Sequence, residues 1–246
     1  MQQQPALALH RVGMTYPDGT EALTDIDLTV APGEFVTVVG PSGCGKSTLL
    51  RLASGLLAQT TGTLDVDRDR LGYVFQDATL LPWRTVRKNV ELLPELHGVP
   101  AEDRDRLVAE AIELVDLVGF EDHHPKQLSG GMRMRVSLAR SLTLHPSVWL
   151  FDEPFGALDE ITRERLNGEV LDLFTSRGFA GLFITHSVHE AVFMSTRVLV
   201  MSPRPGRIVG EFEIPFDFPR NKELRFSPEF GALAGQISAR LEESHV

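Results

Sequence analysis

The chain has 246 residues, enough for one large domain with a substantial interior. Its 24 basic and 34 acidic residues give a formal net charge of −10, which opposes non-specific binding to nucleic acid or to anionic lipid. The single cysteine excludes an intrachain disulfide framework and a cysteine zinc cluster, and no apolar run approaches the roughly twenty residues that cross a bilayer. Since the first residues also lack the pattern of a secretion signal, we expect a cytosolic or peripheral protein.

The predicted elements begin with an antiparallel hairpin. Its strands are Leu7–Met14 and Glu21–Val30, and the intervening Tyr-Pro-Asp-Gly sequence at residues 16–19 is typical of a turn. A β-branched strand follows over Phe35–Val39, and a helical pattern covers Ser47–Ala53 after a glycine-rich loop.

Short apolar strands then alternate with helical patterns, which predicts an α/β domain with a largely parallel central sheet. The further strands predicted for this sheet are Leu71–Phe75, Val148–Phe151, Leu182–Thr185 and Val198–Met201. The strand pattern stops between residues 76 and 146, where helices are predicted over Ala101–Val118 and Ser129–Leu144. We therefore expect a helical insertion into the α/β core.

The predicted domain covers residues 7–241. Its α/β core comprises residues 1–76 and 146–214, which end in a strand-like Arg207–Ile214, and its helical insertion comprises residues 77–145. The tail, residues 215–246, carries a predicted helix near Phe230–Glu243 and is too short for a further regulatory domain of ordinary size.

The glycine-rich loop has the G-x-x-x-x-G-K-S spacing of a phosphate-binding loop. Its glycines let successive N–H groups converge on phosphates, and the following helix adds its positive N-terminal end. Lys46 supplies a charge to the β- and γ-phosphates, and the Ser47 hydroxyl can ligate Mg²⁺. The sequence thus predicts a nucleoside triphosphate site formed by Gly40, Pro41, Ser42, Gly43, Cys44, Gly45, Lys46, Ser47 and Thr48.

Two adjacent carboxylates end a later apolar strand, at Asp152 and Glu153. Asp152 at the strand tip is suited to hold Mg²⁺ directly or through water. Glu153 is suited to polarise the attacking water, which requires a carboxylate within hydrogen-bond reach of that water. A solvated acidic pair at a strand end is the alternative interpretation.

The sequence Ser129-Gly130-Gly131 opens a helical pattern. The serine can cap the helix, and the glycines leave backbone amides accessible, so that a second anion site is possible at this helix N-terminus. Taken alone, the motif fits an ordinary N-cap equally well.

The three motifs together resemble those of the ATP-binding cassette (ABC) ATPases, and further family motifs follow in the expected order from about Leu7 to about Leu241. The resemblance implies that Tyr16 stacks on adenine and that Gln76 contacts Mg²⁺ and the attacking water. It implies that Ala157-Leu158-Asp159 crosses a dimer interface and that His186 contacts the γ-phosphate and orients the catalytic groups. For Tyr16, packing within the hairpin is the alternative.

Three positions depart from the family pattern. Met132 and Met134 stand where glutamine is common, and Ser187 follows His186 where aspartate is common. None of these changes removes a catalytic group. The change at Met132 affects only the expected contacts to the sugar of the nucleotide across the dimer interface.

The resemblance also implies partners. Two subunits pack head to tail, so that Ser129 and its two glycines complete the ATP site around Lys46 of the other subunit, most simply in a homodimer. ATP and Mg²⁺ are the implied cofactors. ATP binding then closes the dimer, hydrolysis releases it, and the helical insertion transmits the motion to a transmembrane permease.

Residues 77–90 and 151–159 look like those of the nitrate, sulfonate and taurine importer subfamily. This resemblance implies import of a small anion, an indirect partnership with a solute-binding protein, and a peripheral position on the cytoplasmic face of the cell membrane. Trp83 lies in a Leu-Leu-Pro-Trp turn that can receive the permease, or alternatively packs within the helical insertion.

Other functions remain open at the level of sequence. A soluble cassette ATPase that remodels nucleic acid or ribosomes is one alternative, and a cassette for another substrate class is a second. The acidic composition disfavours a nucleic-acid partner, so we expect none.

Overall fold

The computed structural model describes residues 4–156 and 158–244 of the chain. The core was predicted to begin at residue 1 and the tail to end at residue 246, so both predictions include residues outside the described ones. The strands are β1 (Leu7–Thr15), β2 (Glu21–Val30), β3 (Phe35–Val39), β4 (Thr61–Val66), β5 (Leu71–Val74), β6 (Val148–Asp152), β7 (Ala180–Thr185), β8 (Arg197–Met201) and β9 (Ile208–Glu213). The helices are α1 (Lys46–Ala53), α2 (Val86–Val90), α3 (Leu92–Leu96), α4 (Ala101–Leu114), α5 (Gly130–Leu142), α6 (Glu160–Arg177), α7 (Val188–Met194) and α8 (Pro228–Glu243).

The central sheet has the strand order β5-β6-β7-β3-β8-β9. All of its pairings are parallel except the last, between β8 and β9. The register aligns the carboxyl ends of three strands, since Val39 of β3 lies opposite Thr185 of β7, and Asp152 of β6 lies opposite Ile184 of β7. The predicted mostly parallel sheet is confirmed, and the motifs that follow β3, β6 and β7 lie at one edge of it.

An N-terminal antiparallel sheet has the order β2-β1-β4. It confirms the predicted hairpin, but β4 was not predicted. Residues Thr61, Gly62 and Thr63 of β4 are exposed, so the strand lacks the alternation of apolar and polar residues from which a strand is recognised. The third strand of this sheet is therefore a finding of the structure.

Aromatic packing fixes the position of the central strands. Phe35 of β3 packs against Phe151 of β6 and Phe183 of β7, with ring centroids 5.9 and 6.0 Å away. Gly181 makes room for this cluster, because a Cβ at residue 181 would lie only 2.6 Å from the Phe35 ring. The packing holds rigid the strands that lead into the three motifs.

Helices α2 to α5 lie within the predicted helical insertion, whose boundaries stay a prediction. Two arginines of α5 connect this helix to other segments, one within the insertion and one outside it. Arg140 donates to the carbonyl oxygens of Ala78 and Thr79, both at 3.1 Å, and Arg135 forms an ion pair with Glu169 of α6. The segment after Gln76 is thus tied directly to the helix that begins at the Ser-Gly-Gly motif.

The predicted α4 helix ends earlier than expected. It was predicted to reach Val118 but ends at Leu114, because Asp116 and Gly119 have φ values of 55° and 89°, which a helix does not allow. The terminal helix α8 is confirmed close to its predicted bounds. Of the helices in the described part of the chain, none has both the length and the apolar character needed to span a membrane.

Candidate nucleotide site

The glycine-rich loop curls between β3 and α1. Gly43 and Gly45 have φ values of 75° and 111°, in the region that favours glycine. A Cβ at Gly45 would lie 2.7 Å from Leu23 Cδ2 and 2.8 Å from the Ala22 carbonyl oxygen. Gly45 also precedes α1 without a side-chain cap, which leaves the first amides of the helix available to a ligand. The local backbone therefore has the form that an anion-binding loop requires.

The Lys46 side chain lies inside this loop. Lys46 is only 5% exposed, and its Nζ donates to the carbonyl oxygens of Gly40 at 2.7 Å and Pro41 at 3.0 Å. Carbonyl oxygens are neutral acceptors, and phosphate oxygens bind a charged amine more strongly. A bound triphosphate would therefore offer the charged amine of Lys46 stronger acceptors than these two carbonyl oxygens.

Cys44 belongs to the loop only through its backbone. The residue is 1% exposed and packs in the core beneath the loop. Its Sγ lies 2.9 Å from the position of a Cβ at Gly40, and burial raises the pKa of the thiol. The thiol thus serves as a small packing group rather than as a reactive one.

A hydroxyl and a carboxylate meet at the base of the loop. Ser47 Oγ donates to Asp152 Oδ1 at 3.0 Å, and the Tyr73 hydroxyl donates to Oδ2 of the same carboxylate at 3.3 Å. Burial raises the pKa of Asp152, and burial together with the Asp152 charge raises the pKa of Tyr73, which therefore stays a hydroxyl donor.

This oxygen set fits Mg²⁺. The ion prefers one or two carboxylate or hydroxyl ligands together with phosphate oxygens and water, rather than a complete protein cage. In the described residues no group of three or more His, Cys, Asp or Glu side chains is placed to hold a metal. Ser47 and Asp152 would supply protein oxygen ligands to such an ion.

Glu153 and His186 form a second pair in the same region. His186 Nδ1 lies 2.9 Å from Glu153 Oε2, within hydrogen-bond distance. Glu153 has a φ of 44°, unusual for a residue with a side chain, and its backbone N–H donates to Ile184 O at 3.0 Å. This turn away from the strand presents the carboxylate toward the histidine, and such strained backbone is common at functional sites.

A cleft with a volume of about 360 Å³ brings many of the predicted residues together. Its lining residues are Tyr16, Ala22, Ser42, Gly43, Gly45, Lys46, Ser47, Thr48, Gln76, Glu153 and Arg204. The Tyr16 hydroxyl is 3.0 Å from Thr48 Oγ1, so the aromatic ring is held at the rim of the cleft and not packed wholly within the hairpin. Residues far apart in sequence thus converge on the volume above Lys46.

The Ser-Gly-Gly motif is placed elsewhere. Ser129 caps α5 by accepting a hydrogen bond from Met132 N at 3.2 Å, and it is exposed. Gly131 lies against α6, since a Cβ there would be 2.7 Å from Thr162 Cγ2. Among the described residues that line the nucleotide cleft, none belongs to this motif. An anion bound at Ser129 would therefore belong to a different site or to another subunit.

The predicted interface loop is described in part. Ala157 lies outside the described residues, whereas Asp159 caps α6 by accepting a hydrogen bond from Thr162 N at 3.0 Å. The next residue but one, Ile161, is strongly exposed for an apolar side chain. The start of α6 thus presents an apolar group close to the Ser-Gly-Gly motif.

Comparison with known proteins identifies the family. The family model described as ABC transporter matches residues 23–156, more than half of the chain. This chain belongs to the ABC transporter family. The nitrate import ATP-binding protein of Synechocystis sp. is 42% identical over 95% of this chain and 92% of its own length. The taurine import ATP-binding protein of Roseobacter denitrificans is also 42% identical, over 94% and 92% respectively.

A solved cassette structure resembles this fold. It is the dimeric post-hydrolysis state of an ATP-binding cassette with bound ADP and Pi. It is 31% identical to this ABC cassette, with a TM-score of 0.75 over 86% of this chain and 100% of that one. The expected fold is confirmed, with its mostly parallel core sheet and separate antiparallel N-terminal sheet.

Arg204 of this ABC cassette was not predicted as a site residue. It lies in the turn between β8 and β9, and its Nε and Nη2 donate to the Gly43 carbonyl oxygen at 3.2 and 2.9 Å. The sequence showed only a turn of two prolines and a glycine. The position of Arg204 depends on tertiary structure. Because β8 pairs with β3, the turn after β8 lies at the edge of the sheet that carries the phosphate loop.

We expect Arg204→Ala to raise the KM for ATP about tenfold with little change in kcat, since a charged donor is lost from the loop and the rim. Steady-state hydrolysis over a range of ATP concentrations measures both constants. Arg207→Ala is the matched control, because Arg207 is exposed in the same hairpin but does not line the cleft. An unchanged KM would contradict a role for Arg204 in nucleotide binding.

We expect Asp152→Asn to stabilise the nucleotide-free protein. Burial raises the pKa of Asp152 above its usual value, so the folded state binds more protons than the unfolded state between the two pKa values. The free energy of unfolding therefore falls as the pH rises through that range. At pH 7 the ionised carboxylate destabilises the folded state. The variant should therefore melt at a higher temperature than the wild type in EDTA at pH 7. A gain that does not shrink as the pH is lowered through the titration range of this carboxyl group would contradict this cause.

Proposed function

We propose that this chain is the ATP-binding and ATP-hydrolysing subunit of an ABC importer for a small anion such as nitrate, a sulfonate or taurine. The observation that carries the proposal is the meeting of Lys46, Ser47 and Glu153 in one cleft. Behind its lining residues, Ser47 is hydrogen-bonded to Asp152, and Glu153 lies within hydrogen-bond distance of His186. The substrate class is supported by the import functions that the two relatives bear in their names.

Each pair has a part in the proposed reaction. Lys46 exchanges its carbonyl partners for the β- and γ-phosphates, while Tyr16 contacts the adenine at the rim. Ser47, Asp152 and Gln76 would hold Mg²⁺, which would neutralise phosphate charge when bound. Glu153 takes a proton from the water whose oxygen attacks the γ-phosphorus, and ADP leaves with the electrons of the broken P–O bond. His186 holds the Glu153 carboxylate and donates to the γ-phosphate.

We assign Ser129, Gly130 and Gly131 to the ATP of a second subunit. Within one chain they are not among the residues that line the nucleotide cleft, although their capped helix end is suited to an anion. The dimeric state of the solved cassette supports this assignment. A homodimer is the simplest assembly, because twofold symmetry lets each chain complete the site of the other.

The Leu-Leu-Pro-Trp turn is proposed to receive the permease. Trp83 is 72% exposed, so the alternative that it packs within the insertion is wrong. Asn89 is fully buried beneath the turn, where it accepts from Leu81 N at 2.8 Å and donates to Leu81 O and Arg84 O. A tryptophan presented on a fixed turn is suited to act as an interface anchor. The connection of Arg140 to the segment after Gln76 links this region to the cleft.

We expect Trp83→Ala to leave the basal ATPase of the isolated subunit unchanged and to weaken permease binding about tenfold or more. The reason is the loss of an aromatic anchor that the permease would bury in the complex. Co-purification with the permease and transport-coupled hydrolysis measure the effect. Phe226→Ala is the matched control, since Phe226 is a still more exposed aromatic on the C-terminal side of the chain. Unchanged assembly and coupling in Trp83→Ala would contradict the docking proposal.

The proposed location is the cytoplasmic face of the cell membrane, with a solute-binding protein as an indirect partner. Three basic side chains near the turn form ion pairs with carboxylates, so they offer little to nucleic acid. The ion pairs are Arg84–Glu95, Arg87–Asp105 and Lys88–Glu91.

Reconstitution tests the transport function directly. The subunit is combined in vesicles with the permease and the solute-binding protein, and phosphate release is measured with nitrate, taurine or chloride present. The proposal predicts stimulation by nitrate or by taurine and none by chloride. Hydrolysis that responds to none of the three anions would contradict the proposed substrate class.

A further inference from the structure

A second cavity, of about 460 Å³, lies away from the nucleotide cleft. Trp149 forms part of its wall, three residues before Asp152 on β6 and thus about 10 Å toward the amino end of the strand. The cavity lies between the core and helix α4 of the insertion. Its principal apolar lining residues are Leu107, Ala111, Leu142, Trp149, Leu173 and Phe179.

The edge of the cavity is basic. Arg70 and Arg177 line it, and neither has an ion-pair partner among the residues that the structure describes. The acidic residue in the lining, Glu110, is paired with Arg106 on the same helix at 3.3 Å. An apolar cavity with two uncompensated guanidinium groups therefore faces the solvent.

We propose that this cavity binds an amphipathic organic anion, with its apolar body against Trp149 and α4 and its anionic group near Arg70 and Arg177. The volume lies within the range of small-molecule sites, which are mostly apolar with a few polar groups that fix orientation. Apolar walls offer water few hydrogen-bond partners, so an apolar body gains by replacing water there. Arginine binds carboxylate and sulfonate groups in a two-point geometry.

The chain provides its own reporter for this site. It has two tryptophans, Trp83 on the exposed turn and Trp149 in the cavity wall, so Trp83→Phe leaves Trp149 as the single donor of tryptophan fluorescence. The full chain with this substitution is titrated with 8-anilinonaphthalene-1-sulfonate and, separately, with N-phenyl-1-naphthylamine, which has the same aromatic body without the sulfonate. Saturating ADP keeps the nucleotide cleft filled.

The proposal predicts energy transfer from Trp149 to both probes, with the sulfonate bound about tenfold more tightly. Arg177→Glu should remove that advantage and leave the binding of the neutral probe unchanged. Arg207→Glu is the matched control, as an exposed arginine that does not line this cavity, and should change neither affinity. Ala111→Leu fills part of the cavity and should weaken both probes.

Either of two results would overturn the proposal. One is the absence of energy transfer from Trp149 to the sulfonate probe. The other is equal affinity for the two probes, unaltered by Arg177→Glu. Because Arg177 is exposed, the Arg177→Glu variant is expected to fold. The test therefore stays decisive even if the Ala111→Leu variant does not fold.

Discussion

Replacing Glu153 by glutamine is expected to leave ATP binding intact and to slow hydrolysis by about 10² or more. The amide keeps the shape of the side chain but cannot take the proton of the attacking water. Its oxygen can still accept a hydrogen bond from His186, whose Nδ1 lies 2.9 Å from the present carboxylate. Phosphate release and nucleotide affinity, measured on the same preparation, separate the two effects.

The control for this experiment is Glu213→Gln, which makes the same chemical change at an exposed position of β9. It should hydrolyse ATP at the wild-type rate. Near-normal hydrolysis by Glu153→Gln would exclude Glu153 as the base, even if every other residue of the cleft has its proposed role.

Replacing Lys46 by alanine is expected to weaken ATP binding by about 100-fold or more, because it removes the charge that we propose binds the β- and γ-phosphates. Titration with a fluorescent ATP analogue measures the affinity. The variant also leaves the carbonyl oxygens of Gly40 and Pro41 without their lysine donor, so its thermal unfolding is compared with that of the wild type.

Lys222→Ala, at an exposed lysine near the C-terminal helix, is the control for the loss of a positive charge. It should bind ATP as the wild type does. A Lys46→Ala protein that is folded and binds ATP with wild-type affinity would contradict the assigned site.

The sequence was most informative where one local pattern determines the structure. The run Phe35–Val39 is buried on both faces of the sheet, so its continuous apolar character predicted a central strand. The glycines after it were predictable because the phosphate-loop spacing requires a backbone that turns sharply. By contrast, β4 was missed because its exposed Thr and Gly residues carry no apolar pattern.

The remaining features depend on contacts between distant segments. Arg204 reaches Gly43 from a turn 161 residues further along the chain. The exposure of Trp83 depends on the buried Asn89 that fixes its turn. The inward direction of the Cys44 thiol depends on the core beneath the loop. No local pattern contains this information, because each of these positions depends on side-chain contacts that form in the folded chain.

We propose that the ATP site is divided between two chains. One chain provides Lys46, Ser47 and Glu153 in a cleft, and its exposed Ser129 is not among the residues that line that cleft. If a second copy supplies Ser129 to that cleft, ATP joins two subunits, and hydrolysis separates them. The membrane partner would then respond to a motion that ATP drives and hydrolysis resets.

Light scattering on the Glu153→Gln protein, with and without ATP, tests this claim most directly. We expect the mass of one chain without nucleotide and the mass of a dimer with ATP. Adding Ser129→Arg should keep ATP bound but prevent the dimer, because the bulky side chain blocks the contact across the interface. A Glu153→Gln protein that stays monomeric with ATP bound, or a dimer that Ser129→Arg does not disturb, would contradict the account.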